Sequence, residues 1–332
     1  MSLLASRLEA WLNARWYGNR GPGRVLRGLA CLHGALAARR RGFWARRAWR
    51  APVPVVVVGN VSVGGTGKTP LTSWLARELE QQGLKVGIVS RGYGRQRGGG
   101  PETVTPQTAV SRAGDEPLLL ARETGCPVVV GRNRPAACRH LLENHSVDVL
   151  LSDDGLQHYP LARQLEIAVL DAERGLGNAR LLPAGPLREP PKRLEEVDFL
   201  VWNGGAPVGA EGLSMELESR DAVRLQDGER RSLAEFSGQR VWAVAGIGNP
   251  ERFFKMLSAH GICWEPIRPG DHARLDPDWL GGGPEPVLMT DKDAVKLEDM
   301  GDPRLWRVPA QARLPDGQVI LERIRELVES RS

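Results

Sequence analysis

Short apolar runs recur along the chain, and most of them end at a glycine or a charged residue. Runs of this length that are rich in valine, isoleucine and leucine are typical of buried strands. They predict strands at residues 55–58, 85–90, 126–131, 147–153, 166–170, 197–202, 240–245 and 287–290. Segments with apolar residues at helical spacing follow several of these strands. Strands that alternate with helices indicate a doubly wound, mostly parallel α/β sheet.

The same pattern divides the chain into three parts. Residues 1–52 are basic and amphipathic, residues 53–205 contain the main series of strands, and residues 206–332 form a second, smaller α/β lobe. Within the last part, residues 206–238 contain two extended segments around Asp227-Gly228, which is a favoured hairpin turn. We predict that this β-ribbon joins the two lobes.

The first part of the chain predicts two amphipathic helices, each with its apolar residues on one face. The apolar residues of the first are Leu3, Leu4, Leu8, Trp11 and Leu12, and those of the second are Val25, Leu26, Leu29, Leu32 and Leu36. Neither patch reaches the roughly 18 to 20 continuous apolar residues that are needed to span a bilayer. We therefore expect helices that lie along a surface.

The charge of the chain is concentrated in the same part. The formal net charge is +5, yet residues 1–50 contain eleven arginines, no lysine and one acid, Glu9. Arginine beside tryptophan on an amphipathic helix favours contact with an anionic membrane surface. A pair of helices packed on the main domain, with a solvated basic face, is the alternative. Nucleic acid is disfavoured as a partner, because no base-reading or stacking module accompanies the charge.

Composition excludes several other classes of protein. With 41% hydrophobic and 26% charged residues, the chain resembles ordinary globular proteins and not disordered ones. Its four cysteines form no CxxC pair, which argues against a zinc site and a disulfide framework. This cysteine usage is typical of a reducing, cytoplasmic setting.

A glycine-rich turn separates the first predicted strand from the helix that follows it. The turn consists of Ser62, Val63, Gly64, Gly65, Thr66, Gly67, Lys68 and Thr69. In a phosphate-binding loop (P-loop), backbone N–H groups surround the phosphates, the lysine neutralises the β and γ phosphates, and the hydroxyl binds Mg²⁺. The full pattern has glycine where this chain has Ser62. We predict that the loop binds ATP or GTP; a purely structural glycine turn is the alternative.

Three aspartates extend this prediction. The strand at 147–153 ends in Asp153, which Asp154 follows, and a carboxylate at this point commonly holds the Mg²⁺ opposite the P-loop hydroxyl. Adjacent residues of an extended backbone point to opposite sides, so Asp153 and Asp154 cannot share one role; one of them could instead cap a turn. Asp115 opens a predicted helix, where a carboxylate commonly stabilises the helix dipole.

Basic and polar residues also follow the predicted strands. Arg91 and Arg134 come after the strands at 85–90 and 126–131, and Arg188 lies in a proline-rich loop. Open α/β sheets bind their ligands at the carboxyl ends of the strands, where these arginines are expected, although solvated arginines would show the same pattern.

Gln157 and His158 continue the turn after Asp154, and His272 follows Asp271 in the second lobe. Each histidine is either an ordinary loop residue or part of a functional site. An imidazole next to a carboxylate is a usual proton-transfer unit. Spacing alone does not decide between the two interpretations.

Taken together, these stretches resemble the tetraacyldisaccharide 4′-kinase family of Gram-negative bacteria. The matching segments are VPVVVVGNVSVGGTGKTP, VGIVSRGYGR, GDEP, VGRNRPAA, LLSDDGLQHYPLAR, LLPAGPLREP, VAGIGNPERFF, the pair Asp271-His272 and LMTDKDAVKL. They follow one another in order from about residue 40 to about residue 300. Ser62 also fits, because the loop of this family resembles S/T-x-GG-x-GKT.

The resemblance implies a function and a location. A member of the family would use ATP and Mg²⁺ to phosphorylate the 4′ hydroxyl of a tetraacylated glucosamine disaccharide 1-phosphate, forming lipid IVA in lipid A biosynthesis. It would be a peripheral protein on the cytoplasmic face of the inner membrane, held by its N-terminal helices. The implied fold is P-loop NTPase-like, a doubly wound sheet with a smaller α/β lobe.

The resemblance also implies roles for individual residues. Lys68 and the loop would hold the β and γ phosphates, and Thr69 with Asp153 or Asp154 would hold Mg²⁺. Asp115 matches the base that accepts the hydroxyl proton, and His272 matches its partner from the second lobe. The candidates for binding substrate or transition-state charge are Arg91, Arg134, Gln157, His158 and Arg188.

Two other classes of protein stay open. Membrane-associated P-loop switch ATPases that position partner proteins resemble KGG-x-GKT, but Val63 stands where they have a signature lysine. A soluble small-molecule kinase or ligase would have no use for the basic N-terminal segment. Phosphate transfer to the glycolipid would separate the kinase of the resembled family from both.

Overall fold

The computed structural model describes residues 11–18, 21–95, 99–269, 277–280 and 283–331. In chain order the strands are β1 (Val55–Gly59), β2 (Val86–Ser90), β3 (Glu102–Val104), β4 (Val128–Val130), β5 (Val149–Asp153), β6 (Leu165–Asp171), β7 (Phe199–Asn203), β8 (Leu213–Glu218), β9 (Asp221–Arg224), β10 (Arg230–Ser232), β11 (Arg240–Val244), β12 (Cys263–Ile267), β13 (Val287–Thr290), β14 (Leu305–Val308) and β15 (Gln311–Arg313).

Helical segments connect these strands. After helical residues 11–16, the helices are α1 (Arg24–Trp44), α2 (Lys68–Gln81), α3 (Val110–Ala113), α4 (Asp115–Thr124), α5 (Arg134–Asn144), α6 (Pro250–Ala259), α7 (Asp291–Ala294) and α8 (Gln318–Glu329). Short 3₁₀ helices lie at Pro191–Glu196, Leu233–Phe236, Pro277–Leu280 and Glu298–Met300.

Nine strands form the larger sheet, in the order β15-β8-β7-β6-β1-β5-β2-β4-β3. Pairing is parallel from β8 to β4 and antiparallel at the two edges. The central strand β1 is buried at every position, and alternate valines face different cores: Val56 and Val58 one, Val55 and Val57 the other. Both faces of the sheet are therefore covered, as the continuous apolar runs predicted.

The smaller sheet has six strands, in the order β10-β9-β14-β13-β11-β12. Its central strands are parallel, and β9 and β10 add an antiparallel edge. The strongly amphipathic α6 packs on this sheet through Phe253, Phe254 and Leu257. The second α/β lobe expected from the sequence is present.

The connection between the lobes differs from the ribbon expected within residues 206–238. The segment 213–224 runs antiparallel to 305–313, because β8 pairs with β15 in the larger sheet and β9 with β14 in the smaller one. The expected hairpin is the β9–β10 pair. The α8 helix also packs in the larger core, so residues 311–329 lie with the first lobe. Pairing between segments far apart in sequence leaves no local pattern that could have predicted this.

The second of the two expected N-terminal helices is α1. It packs on the main body through its inner side, where Ala30 is buried, and exposes an apolar stripe on its outer side. The stripe consists of Val25, Leu29, Leu32, Leu36 and Phe43. Most of the first expected helix lies outside the described residues. In the described part of the chain, no helix is both long enough and apolar enough to cross a bilayer.

Candidate active site

The predicted P-loop lies between β1 and α2. Gly64 and Gly67 have φ of 103° and 94°, in the left-handed region that favours glycine. Gly67 precedes the first residue of α2, so the loop turns directly into the N-terminus of the helix. Ser62 forms a β-bridge with Leu187, and the Val63 N–H donates to the Pro186 carbonyl at 2.9 Å. The loop is therefore anchored on one side, and its N–H-rich end faces the cleft.

Lys68 and Thr69 occupy the first turn of α2 and line a cleft between the two lobes. The Lys68 Nζ lies 3.6 Å from an Asp154 carboxylate oxygen. The lysine is thus held close to the end of β5 by an ion pair. This ion pair orients the Lys68 side chain within the cleft.

Asp153, the last residue of β5, is buried. Its carboxylate accepts hydrogen bonds from the hydroxyls of Thr72 at 3.2 Å and Ser90 at 3.5 Å. Burial, and then the charges of Glu116 and Asp154, raise the pKa of the Asp153 carboxyl to about 7.

Asp154 has a different environment, because it lies just beyond the end of β5 and not in the extended strand. Its φ of 47° places it in the left-handed region, which is rare for a residue with a side chain. The Arg188 Nη1 donates to both carboxylate oxygens, at 3.1 and 3.3 Å. Although burial opposes it, the positive charges of Lys68, Arg188 and Arg134 hold the pKa of Asp154 below its usual range. Asp154 is therefore ionised and already paired with cations.

The donor set formed by Thr69, Asp153 and Asp154 fits Mg²⁺. Hydroxyl and carboxylate oxygens are the protein ligands that this ion prefers, and it usually takes one or two carboxylates together with phosphate oxygens. The hydrogen bonds that Thr72 and Ser90 donate to the Asp153 carboxylate come from neutral hydroxyl groups. A cation at this point would compensate its buried charge.

Arg134 does not lie where a substrate-binding arginine was expected. It is buried, and its guanidinium donates to the backbone carbonyls of Gly131 at 3.0 Å and Asp153 at 2.7 Å. Burial lowers the pKa of Arg134 to about 10. The charged side chain thus supports the end of β5 from inside the protein, which the sequence, showing only an arginine after a strand, could not reveal.

His158 and Gln157 support the same region. The Arg134 backbone N–H donates to His158 Nε2 at 3.2 Å, while burial and the charge of Arg134 lower the pKa of His158 to about 3. The imidazole is therefore neutral at physiological pH. Gln157 donates to the Asn60 carbonyl at 2.8 Å and accepts from Arg188 at 3.3 Å. Arg188 thus links Gln157 to Asp154, whereas Arg91 is exposed at the end of β2.

Asp115 lies at the interface of the two lobes. It is the first residue of α4, and the N-cap is Gly114, which has no side chain. Its carboxylate is buried, and one oxygen lies 3.8 Å from the Lys296 Nζ of the second lobe. The expected partner His272 lies outside the described residues, as does Asp271.

The lobes also meet beside the P-loop. The loop at 246–249 approaches it so closely that a Cβ on Gly248 would overlap the backbone nitrogen of Gly65. Asp171 at the end of β6 accepts hydrogen bonds from Asn249 at 3.3 Å and Arg252 at 3.2 Å. The strand ends of the larger sheet are thus covered by the second lobe.

An apolar cavity of about 200 Å³ lies beside the loop in this cleft. Its apolar wall consists of Leu217, Ile247, Phe253, Met256 and Val308. Sequence reasoning missed these residues as a site, because they come from both lobes and each looks like an ordinary core position.

Sequence reasoning also missed an ion pair across the cleft. Glu116 and Lys292 form it at a distance of 3.2 Å, although both lie in segments that carried the resemblance.

Comparison with known proteins shows the family. The model of the Tetraacyldisaccharide-1-P 4′-kinase family (LpxK) matches residues 23–329. The chain belongs to this family. It is 47% identical over 308 residues to the tetraacyldisaccharide 4′-kinase of Pseudomonas paraeruginosa, covering 91% of this chain and 92% of that protein. It is 45% identical over 310 residues to that of Legionella pneumophila, covering 93% and 95%.

A solved structure shows the same fold. The structure of LpxK from Aquifex aeolicus in complex with ATP is similar to this one with a TM-score of 0.76 and 29% identity, covering 91% of this chain and 98% of that chain. The predictions of the kinase family and of a P-loop-type α/β fold with two lobes are confirmed. The roles of individual site residues stay predictions.

Proposed function

We propose that this chain transfers the γ-phosphate of ATP to the 4′ hydroxyl of tetraacyldisaccharide 1-phosphate, which forms lipid IVA in lipid A biosynthesis. Its membership of the 4′-kinase family supports this reaction. The single structural observation that carries the proposal is the cleft between the lobes, which Lys68 and Thr69 line together with Glu116, the neighbour of Asp115. Phosphate-binding groups of the first lobe therefore face the second lobe at this opening, and Asp115 is adjacent in sequence to a residue that lines it.

The cleft suggests how ATP would be bound. The backbone N–H groups at the N-terminus of α2 and the Lys68 ammonium would hold the phosphates. The apolar cavity beside Gly65 would take the adenine ring, since aromatic and aliphatic side chains of both lobes form its wall. Nucleotide binding would in this way bring the lobes together.

The metal and the nearby polar groups would complete the phosphate site. We assign Mg²⁺ to Thr69 with Asp153 or Asp154, where it would neutralise charge between the β and γ phosphates when bound. Arg188 would keep Asp154 in place through its two hydrogen bonds. Gln157 and Arg91, both near the ends of the central strands, would contact the sugar or its phosphate, and the neutral His158 would do so as a hydrogen-bonding group.

The reaction needs a proton acceptor for the attacking hydroxyl. In our proposal Asp115 takes the proton of the 4′ hydroxyl with His272 as its partner, while the hydroxyl oxygen forms a bond to the γ-phosphorus. The bond between that phosphorus and the β–γ bridging oxygen breaks, and ADP leaves with the bridging electron pair. Such transfer depends mainly on positioning and on neutralising charge. Closure of the two lobes would supply both and exclude water.

The test of this function is a transfer assay. We expect the purified chain with MgATP to label detergent-dispersed tetraacyldisaccharide 1-phosphate from ATP labelled at the γ-phosphate, with little ATP hydrolysis in the absence of the lipid. Mass spectrometry should place the new phosphate at the 4′ position. Lipid-independent hydrolysis without transfer would contradict the proposal and favour a switch ATPase.

We also propose that the protein lies on the anionic, cytoplasmic face of the inner membrane as a peripheral protein. The outer stripe of α1 exposes large apolar side chains to solvent over much of the length of the helix. Four arginines lie within or just after its C-terminal part, namely Arg39, Arg40, Arg46 and Arg47. An apolar stripe next to positive charge is the pattern of an interfacial helix, and such a position would give access to an acylated substrate.

Replacing Leu29, Leu32 and Leu36 together by glutamate should release the protein from this surface. Because each buried leucine contributes about 1.5–3 kcal/mol, binding to vesicles with anionic lipid should weaken by roughly 100-fold or more. Vesicle co-sedimentation at low salt measures the effect. Val208 and Val319 are exposed apolar residues elsewhere, so their replacement by glutamate is the matched control and should leave binding within about twofold. Equal binding of all variants would contradict the interfacial position.

A further inference from the structure

A lysine of the second lobe points at the candidate base of the first. Lys296 follows α7, and its Nζ lies 3.8 Å from the Asp115 carboxylate. Only 9% of the lysine side chain and 8% of the aspartate side chain are exposed. Water screens such a pair weakly, so the Coulombic attraction between the two charges is stronger than in an exposed ion pair.

A second carboxylate holds the lysine. Asp293 is fully buried, and one of its oxygens lies 3.1 Å from the Lys296 Nζ. Its other oxygen accepts hydrogen bonds from the Gly246 backbone N–H and the Thr290 hydroxyl, both at 2.7 Å. A buried carboxylate with three donors has a fixed position, which in turn fixes the lysine.

Asp115, Lys296 and Asp293 form a charge arrangement that stays paired when the candidate base gains a proton. Before the transfer, one ammonium lies between two carboxylates, so Asp115 is held in place by an ion pair. After Asp115 takes the proton, Lys296 still has Asp293 as its counter-ion. No buried cation is left unpaired on either side of the step, which a simple lysine–aspartate pair could not achieve.

Asp293 is also connected to the P-loop through the backbone of the second lobe. Gly246, which donates to Asp293, begins the loop whose Gly248 lies against Gly65. The backbone contact at Gly65 and the ion pair at Asp115 are therefore joined through one hydrogen-bonded unit of the second lobe. A shift of that unit on the P-loop would move Lys296 relative to the base.

We propose that Lys296, held by Asp293, is a positioning residue that orients Asp115 for proton transfer when the lobes are closed. This inference rests on the proposed role of Asp115 as the base. The lysine does not touch the nucleotide in this proposal, so its loss lowers kcat and leaves the KM for ATP nearly unchanged.

The test is a comparison of two substitutions in the full-length protein, alone and combined. Lys296→Gln removes the charge but keeps N–H donors for Asp293, and it should lower kcat at least tenfold with the KM for ATP within about twofold. In the Asp115→Asn background, Lys296→Gln should change the residual kcat by less than about twofold. Multiplying losses in the double variant would show that Lys296 acts elsewhere and would overturn the inference.

Two further variants separate positioning from a general effect on folding. Lys296→Arg keeps the charge beside Asp293 but has a longer, planar head, so its kcat should lie between those of wild type and Lys296→Gln. Glu298→Gln removes another ion pair across the same interface, with Arg122, and should leave kcat unchanged. If Lys296→Gln and Lys296→Arg lower only the unfolding temperature and leave kcat unchanged, the lysine is structural and the inference is wrong.

The outcomes also distinguish this inference from the function on which it rests. If Asp115→Asn alone retains wild-type kcat, the proposed base is wrong whatever Lys296→Gln does. If Asp115→Asn loses activity while Lys296→Gln keeps it, the base stands and the positioning role of Lys296 fails.

Discussion

Lys68→Ala is expected to abolish phosphate transfer, with kcat lower by roughly 10³-fold or more, the scale found when a transition-state cation is removed from a phosphoryl-transfer site. Lys68 is the P-loop lysine, and its ammonium is already oriented in the cleft by Asp154 at 3.6 Å. Charge on the γ-phosphate and its leaving oxygen would then lack its nearest protein cation. Steady-state transfer to the glycolipid under saturating MgATP measures the loss.

The fold of the Lys68→Ala variant should persist, because Arg188 still holds Asp154 with two hydrogen bonds. ATP should still bind through the loop N–H groups, with an affinity that falls less than kcat does. Lys85→Ala is the matched control. This lysine is exposed and directly precedes β2, so it lies at the amino ends of the parallel strands, whereas the P-loop lies at their carboxyl ends. A kcat within tenfold of wild type for Lys68→Ala would refute the role of Lys68.

Asp115→Asn is expected to lower kcat by roughly 10²-fold or more, which is the usual contribution of a general base. The amide has nearly the size of the carboxylate but cannot accept the hydroxyl proton. ATP binding should change little, because the P-loop and the apolar cavity do not include this side chain. Transfer rates and ATP affinity, measured on the same preparations, separate the two effects.

A structural role for Asp115 predicts a different result. In that case Asp115→Asn would lower the unfolding temperature and leave kcat unchanged, since the substitution would weaken the interaction with the helix dipole and the ion pair with Lys296. His272→Ala should lower kcat to a similar degree as Asp115→Asn if the two act as a pair. Losses that multiply in the combined variant would show that they act separately.

Local patterns predicted most of the elements that form the site. The apolar run at β1, the glycines of the P-loop and the apolar spacing of α2 are contiguous, so each follows from short-range conformational preferences. We also expected Asp153 and Asp154 to differ, and their environments do differ, with hydroxyl donors on one and cations on the other. The reason given for that expectation was wrong, because Asp154 lies beyond the strand with a left-handed φ of 47°, and the alternation of an extended backbone does not apply to it.

Local patterns failed where the environment of a side chain comes from distant segments. Arg134 was expected to contact substrate, yet its guanidinium is buried against the carbonyls of Gly131 and Asp153. We expected the first lobe to end near residue 205, but β8, β15 and α8, which come later in the chain, belong to the larger lobe. Burial and strand order depend on how the whole sheet assembles, and the residues next to a position in the sequence do not determine them.

The sequence by itself determined that this protein has a P-loop between a buried strand and a helix, with carboxylates at the ends of later strands. It also carried the motifs of one kinase family, because such motifs are contiguous. Only the tertiary structure decided that Lys296 and Asp293 of the second lobe lie beside Asp115 of the first. The physical reason is that the two lobes are joined by paired strands from distant segments, and charges that are far apart in the sequence interact only once those strands have paired.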